Sequence, residues 1–186
     1  MKITGITSHV LLVPAVDVDA TSSAQDAFVV EIETDAGITG IGESDLNPWI
    51  ARACLDAPAT HTMGRNLRDM LLGEDPRDPV RLWQKLYEGS AMNGRRGAVI
   101  HVIGALDMAL WDIAGKAAGM PVWRLLAQAG TLVQAAVTPY ASLLPPAPSY
   151  ATFKATMVEW AVRAKELGFV AAKLETLVNG PYRHGA

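Results

Sequence analysis

Residues 97–118 constrain the fold of this chain more than any other stretch. Val99, Val102, Ile103, Leu106, Leu110 and Ile113 recur at helical spacing with Ala105 and Ala109 beside them, which predicts one long helix with a wide apolar stripe. Gly115-Lys116-Ala117-Ala118-Gly119-Met120-Pro121 follows as a glycine stop and then a proline. A stripe of that length must be buried against another layer, and the residues before it supply one.

Lys2 to Val13 is rich in Ile, Val, Leu and Thr and stops at Pro14, which reads as a strand. Phe28-Val29-Val30-Glu31-Ile32-Glu33-Thr34 alternates as a half-buried strand does, Asp35-Ala36-Gly37 makes a turn, and Ile38 to Glu43 returns, so residues 28–43 read as a hairpin. Its glycines, Gly37, Gly40 and Gly42, have the spacing G-x-x-G-x-G. That order is the reverse of a dinucleotide fingerprint and opens no helix, so it implies a turn and close packing against the strand. Helices are expected from Trp49 to about Met63, from Asn66 to about Leu72, and after Asp78, which caps a helix with Pro79 at its first position.

After Gly130 the pattern changes. Leu132 to Leu143 reads as a strand, Pro145-Pro146-Ala147-Pro148 as a stiff loop, Ser149 to Leu167 as a helix ending at Gly168, and Phe169 to Glu175 as a second strand. A strand, helix and strand of these lengths form a βαβ unit with parallel strands. The expected organisation is therefore an α+β domain over 1–130 and the start of an α/β unit over 131–186.

Composition narrows the function. The net charge of −3 with sixteen scattered Lys and Arg leaves no basic footprint for nucleic acid. No run approaches ~18 uninterrupted apolar residues, so no membrane span is expected, and the N-terminus lacks a secretory apolar core. The single cysteine, Cys54, excludes an internal disulfide and a cysteine zinc site. A cytoplasmic protein is the expectation.

Gly104-Ala105-Leu106-Asp107-Met108-Ala109-Leu110-Trp111-Asp112-Ile113-Ala114-Gly115-Lys116, with Pro121-Val122 and Leu125-Leu126 after it, resembles the N-terminal signature of the mandelate racemase/muconate lactonizing enzyme family of the enolase superfamily. It departs at Val102, where the family usually has a small residue, and at Ala127, where it usually has glycine. The resemblance implies an α+β capping domain followed by the first β-α-β of an incomplete α/β (TIM-type) barrel. In such enzymes Mg2+, held by carboxylates on the third, fourth and fifth barrel strands, stabilises the enolate formed when a base removes a proton α to a carboxylate. A complete barrel takes ~250 residues, so this chain is expected to bind no Mg2+ and to be inactive alone.

Within that resemblance, Lys173-Leu174-Glu175 occupies the place of the family's Lys-x-Lys motif, and alternation points Lys173 and Glu175 to one face. Glu175, standing where the second lysine would be, favours a protonated Lys173, a clamp for a substrate carboxylate rather than a base. Tyr182 and His184 follow in the next loop, and Tyr140 and Ser142 lie near the end of the preceding strand. The loops 15–26 and 44–57 correspond to those that select substrate in the family, making Asp17, Asp19, Ser22, Ser23, Asn47 and Trp49 candidate contacts. Asp107 and Asp112 read as caps or ion-pair partners, and His101 as a packing residue. The expected ligand is a carboxylate-bearing small molecule, above all an acid sugar undergoing dehydration, and the expected protein partner is a second copy or a complementary chain. The alternative is a non-catalytic oligomerisation or interaction module derived from such an enzyme.

Overall fold

The computed structural model describes residues 1–16, 25–94, 96–127, 134, 136–144 and 150–174. The chain divides into two compact units, the first built on Met1–Pro14 and Ala24–Thr131 and the second carrying Leu132–Ala186.

The first unit is an antiparallel sheet under helices. Strands β1 (Ile3–Leu12), β2 (Asp26–Thr34) and β3 (Thr39–Ser44) lie in the order β1-β2-β3. Gly37, at φ 72°, makes the β2–β3 turn. On β2 the even positions Phe28, Val30 and Ile32 are buried and Glu33 is exposed, the alternation expected of a sheet with one covered face.

The cover is α4 (Ala98–Ala118), the helix that the apolar stripe predicts. Every residue of that stripe is buried, and Gly119, at φ 65°, ends the helix by donating to the Gly115 and Lys116 carbonyls. By length and apolarity α4 could span a bilayer, yet half of its most apolar window is buried, as in a core helix.

The helix approaches the sheet closely because β3 presents no side chains there. A β-carbon on Gly40 would fall within 3.0 Å of the Ala109 carbonyl oxygen, and one on Gly42 within 3.0 Å of that of Ala105. Both are overlaps that real side chains do not tolerate.

Around this pair pack α1 (Pro48–Asp56), α2 (Leu67–Leu71), α3 (Pro79–Gly89) and α5 (Val122–Leu126). Asp78 caps α3 by accepting from Arg81 N, and Asn66 caps α2 by accepting from Asp69 N. The first of these helices is shorter than the sequence suggests. It ends at Asp56 rather than near Met63, because Ala57 precedes Pro58 and takes an extended conformation at ψ 125°.

Both sheet edges are occupied. On β1, Ile3 exchanges backbone bonds with Gly73 and Glu74 at 2.9 Å each, Arg68 donates to the Ile6 carbonyl, and Arg52 Nη2 donates to that of Ser8 at 2.9 Å. On β3, Ile41 N donates to Asp112 Oδ2 at 2.9 Å, and Lys116 Nζ donates to the Thr39 carbonyl at 2.7 Å and to Asp112 Oδ2 at 2.8 Å. These bonds fill groups that an added strand would otherwise use. Asp112 is thus an ion-pair partner, as read from sequence, with a second task at the sheet edge.

In the second unit β4 (Ala141–Leu143) and β5 (Ala172–Leu174) pair in parallel, with α6 (Tyr150–Glu166) between them in sequence. The β-α-β unit forms, but its first strand is shorter than the expected 132–143. Among the described residues, 136–140 are not in a strand; Pro139 has no N–H to give to a ladder. Leu143 packs with Phe153, Met157 and Ala164 of α6.

The glycine contact makes a paired prediction. Gly42→Ala destabilises the first unit by about 3 kcal/mol as the helix is forced off the strand. Gly104→Ala, in the middle of α4 with nothing within 4 Å of the added carbon, stabilises it by about 0.5–1 kcal/mol. Urea unfolding of both variants measures the difference, and equal effects would show that helix and strand can separate freely.

Candidate functional site

Two places bring sequence-predicted residues together. The first is the end of the parallel pair. Because Ala141 and Leu143 face α6, alternation turns Ser142 to the opposite face of β4, and the register sets Ser142 beside Lys173 of β5. Both are exposed within the chain. A hydroxyl and an ammonium therefore share the face that α6 leaves uncovered, an arrangement suited to an anion. Tyr140, just ahead of β4, is exposed. Glu175, Tyr182 and His184 lie outside the described residues, so the expected attraction between Lys173 and Glu175 is not part of this geometry.

The second place is the segment joining β3 to α1. Asn47 accepts from Trp49 N at 3.1 Å and Ile50 N at 3.3 Å, so its side chain caps α1. Trp49 stands out from the surface at 58% exposure, with the Arg52 guanidinium 5.6 Å from its ring centroid. Asp17, Asp19, Ser22 and Ser23 lie outside the described residues.

Next to this segment is a cleft of about 530 Å³ lined by Glu43, Ser44, Asp45, Ile100, His101, Gly104 and Met108, a volume that suits a small ligand. His101 is exposed, with Nδ1 3.4 Å from Asp45 Oδ1, rather than the packing residue expected from its place on an apolar helix. It sits on the solvent side of α4, outside the stripe, and that position was readable from the 3.6-residue period. Among the described residues no three His, Cys, Asp or Glu side chains converge as a metal site, so the described residues do not by themselves fit the Mg2+ that the family resemblance implies.

Asp107, on the neighbouring turn of α4, has its carboxyl pushed above the ordinary aspartate range by burial, partly offset by a hydrogen bond from the Trp111 side chain. Burial likewise pushes the Cys54 thiol up, away from the reactive thiolate.

A three-stranded sheet under a long helix, followed by a β-α-β unit, is the architecture of a capping domain and the start of a barrel. Residues 3–127, more than half of the chain, match the family model of the mandelate racemase/muconate lactonizing enzyme N-terminal domain. The chain belongs to that family, and its first unit is the N-terminal capping domain of the enolase superfamily.

An arabinonate dehydratase from Saccharolobus solfataricus is 41% identical over 113 residues, covering 61% of this chain and 29% of the relative. A D-mannonate dehydratase from Caulobacter vibrioides is 32% identical over 160 residues, covering 86% and 36%. A solved structure described as a predicted mandelate racemase from Rhodobacter sphaeroides superposes with a TM-score of 0.77 at 30% identity, over 93% of this chain and 42% of that one. The chain thus spans less than half the length of each of these three proteins.

The raised Asp107 pKa sets a sign for pH dependence. The folded state holds this proton more tightly than the unfolded chain, so the contribution is fully present below the ordinary value of 3.8 and is lost as pH rises through the folded pKa. Asp107→Asn removes that loss, and its unfolding midpoint relative to wild type rises across this interval. A constant difference in midpoint at every pH would overturn the assignment.

Proposed function

We propose that this chain is the substrate-selecting cap and first barrel strands of an acid sugar dehydratase that acts in the cytoplasm. The observation that carries the reading is Lys173 in β5, one residue before the last residue of that strand, beside Ser142 on the face opposite α6. Strand ends of this kind carry the chemistry of barrel enzymes. The similarity to relatives named arabinonate and D-mannonate dehydratases supports the substrate class.

In this reading Lys173 stays protonated and clamps the substrate carboxylate. A positive charge fixed at the carboxylate favours loss of the adjacent α-proton, because negative charge grows on those oxygens as the C–H bond breaks. Glu175 keeps the lysine charged, and the base stands elsewhere in the whole protein. Asp17, Asp19, Ser22, Asn47 and Trp49 of the cap, with Tyr140, Tyr182 and His184, are the proposed contacts to the hydroxylated remainder of the substrate. Magnesium would belong to carboxylates other than those described.

A second reading, an assembly module without catalysis, draws on exposed Val158, Trp160, Val162 and Val170 in the second unit. It expects a stable homo-oligomer in light scattering.

The 186-residue chain incubated with Mg2+ and D-galactonate is expected to give no turnover. Joined in frame to the remaining barrel of a dehydratase relative, it is expected to gain it. In that protein Lys173→Ala lowers kcat/KM by about 100-fold or more, whereas Lys173→Arg keeps part of the activity because a guanidinium still binds a carboxylate. Equal, complete loss in both variants would overturn the clamp role, and turnover by the 186 residues alone would sink the division of labour.

A further inference from the structure

We propose that Arg52 is a positioning residue that holds the Trp49 indole as a stacking surface for the hydroxylated carbon chain of the substrate. The inference rests on the acid sugar reading for the ligand, and on geometry alone for the residue.

Trp49 is a large aromatic side chain turned to solvent and fixed from two directions. Asn47 holds its backbone in the first turn of α1, and Arg52, three residues on and so on the same side of the helix, covers its ring at 5.6 Å. Arg52 is itself tied down, because its Nη2 donates to the Ser8 carbonyl of β1 at 2.9 Å. The chain of contacts runs from the sheet edge through a rigid guanidinium plane to the indole.

With Arg52 over one face of the ring, 58% of the residue remains exposed to solvent. An indole face accepts the C–H groups of a polyhydroxylated chain while the hydroxyls keep their water. It discriminates by shape only if the ring is held still beforehand.

The test uses the chain labelled with fluorotryptophan. Of the five tryptophan resonances, that of Trp49 is identified by its loss in Trp49→Phe. Arg52→Gln and Arg52→Lys are both expected to shift and broaden the Trp49 resonance while leaving the other four in place, since lysine cannot bond Ser8 and lie flat on the ring together. An unchanged Trp49 resonance overturns the positioning role. If Arg52→Gln disturbs all five resonances through loss of the fold, Arg52→Lys decides, because it retains a donor for Ser8.

Titration with D-galactonate and with the neutral polyol galactitol tests the stacking. Both are expected to move the Trp49 resonance in wild type, and to move it less in the Arg52 variants. A response to neither overturns stacking as the mode of recognition, and a galactonate response undiminished in the Arg52 variants overturns the positioning role. Failure of the acid sugar reading is seen separately, in the turnover assay of the joined enzyme.

Discussion

The close contact of α4 with β3 is the constraint on which the first unit depends. Two glycines on one face of an edge strand let a helix backbone come against a strand backbone at Ala105 and Ala109. The approach places the apolar stripe of α4 in one buried core with Phe28, Val30 and Ile32. Burial of the large side chains in that stripe is worth about 1.5–3 kcal/mol apiece, so a distance set by two missing β-carbons governs a large share of the core.

That closeness also gives the polar residues of the helix their work. Asp112 and Lys116 sit one turn apart, where they reach past the contact to the edge of β3 and take its free N–H and carbonyl. Arg52 and Arg68 do the same for β1. The sheet has two edges and both are filled by side chains or backbone from other elements, which leaves the faces and loop ends as the parts of the unit open to partners. Beside the start of β1, Glu74 gathers Lys85 and Arg81, whose hydrogen bonds hold its carboxyl below the usual range.

Much of this was legible in the sequence because it is periodic. The stripe of α4, the alternation of β2, the Asp78-Pro79 helix start and the Gly119 stop each depend on a few neighbouring residues, and each appears where the pattern places it. The helix expected to Met63 ends early because Pro58 outweighs a weak apolar pattern, and among the described residues the strand expected from Leu132 is found at Ala141–Leu143, after Pro139. His101 has apolar neighbours in sequence, but its angle on the helix turns it to solvent and Asp45.

The sequence by itself determined the family, the order of strands and helices, and the glycine spacing that permits the helix to approach, since all of these follow from local chemistry at fixed intervals. Only the tertiary structure decided what the polar groups touch: Asp112 on an edge N–H, Arg52 between Ser8 and Trp49, Ser142 beside Lys173. Those partners are 71 and 44 residues apart for the first two. Their meeting depends on sheet register and helix approach, which no local pattern specifies.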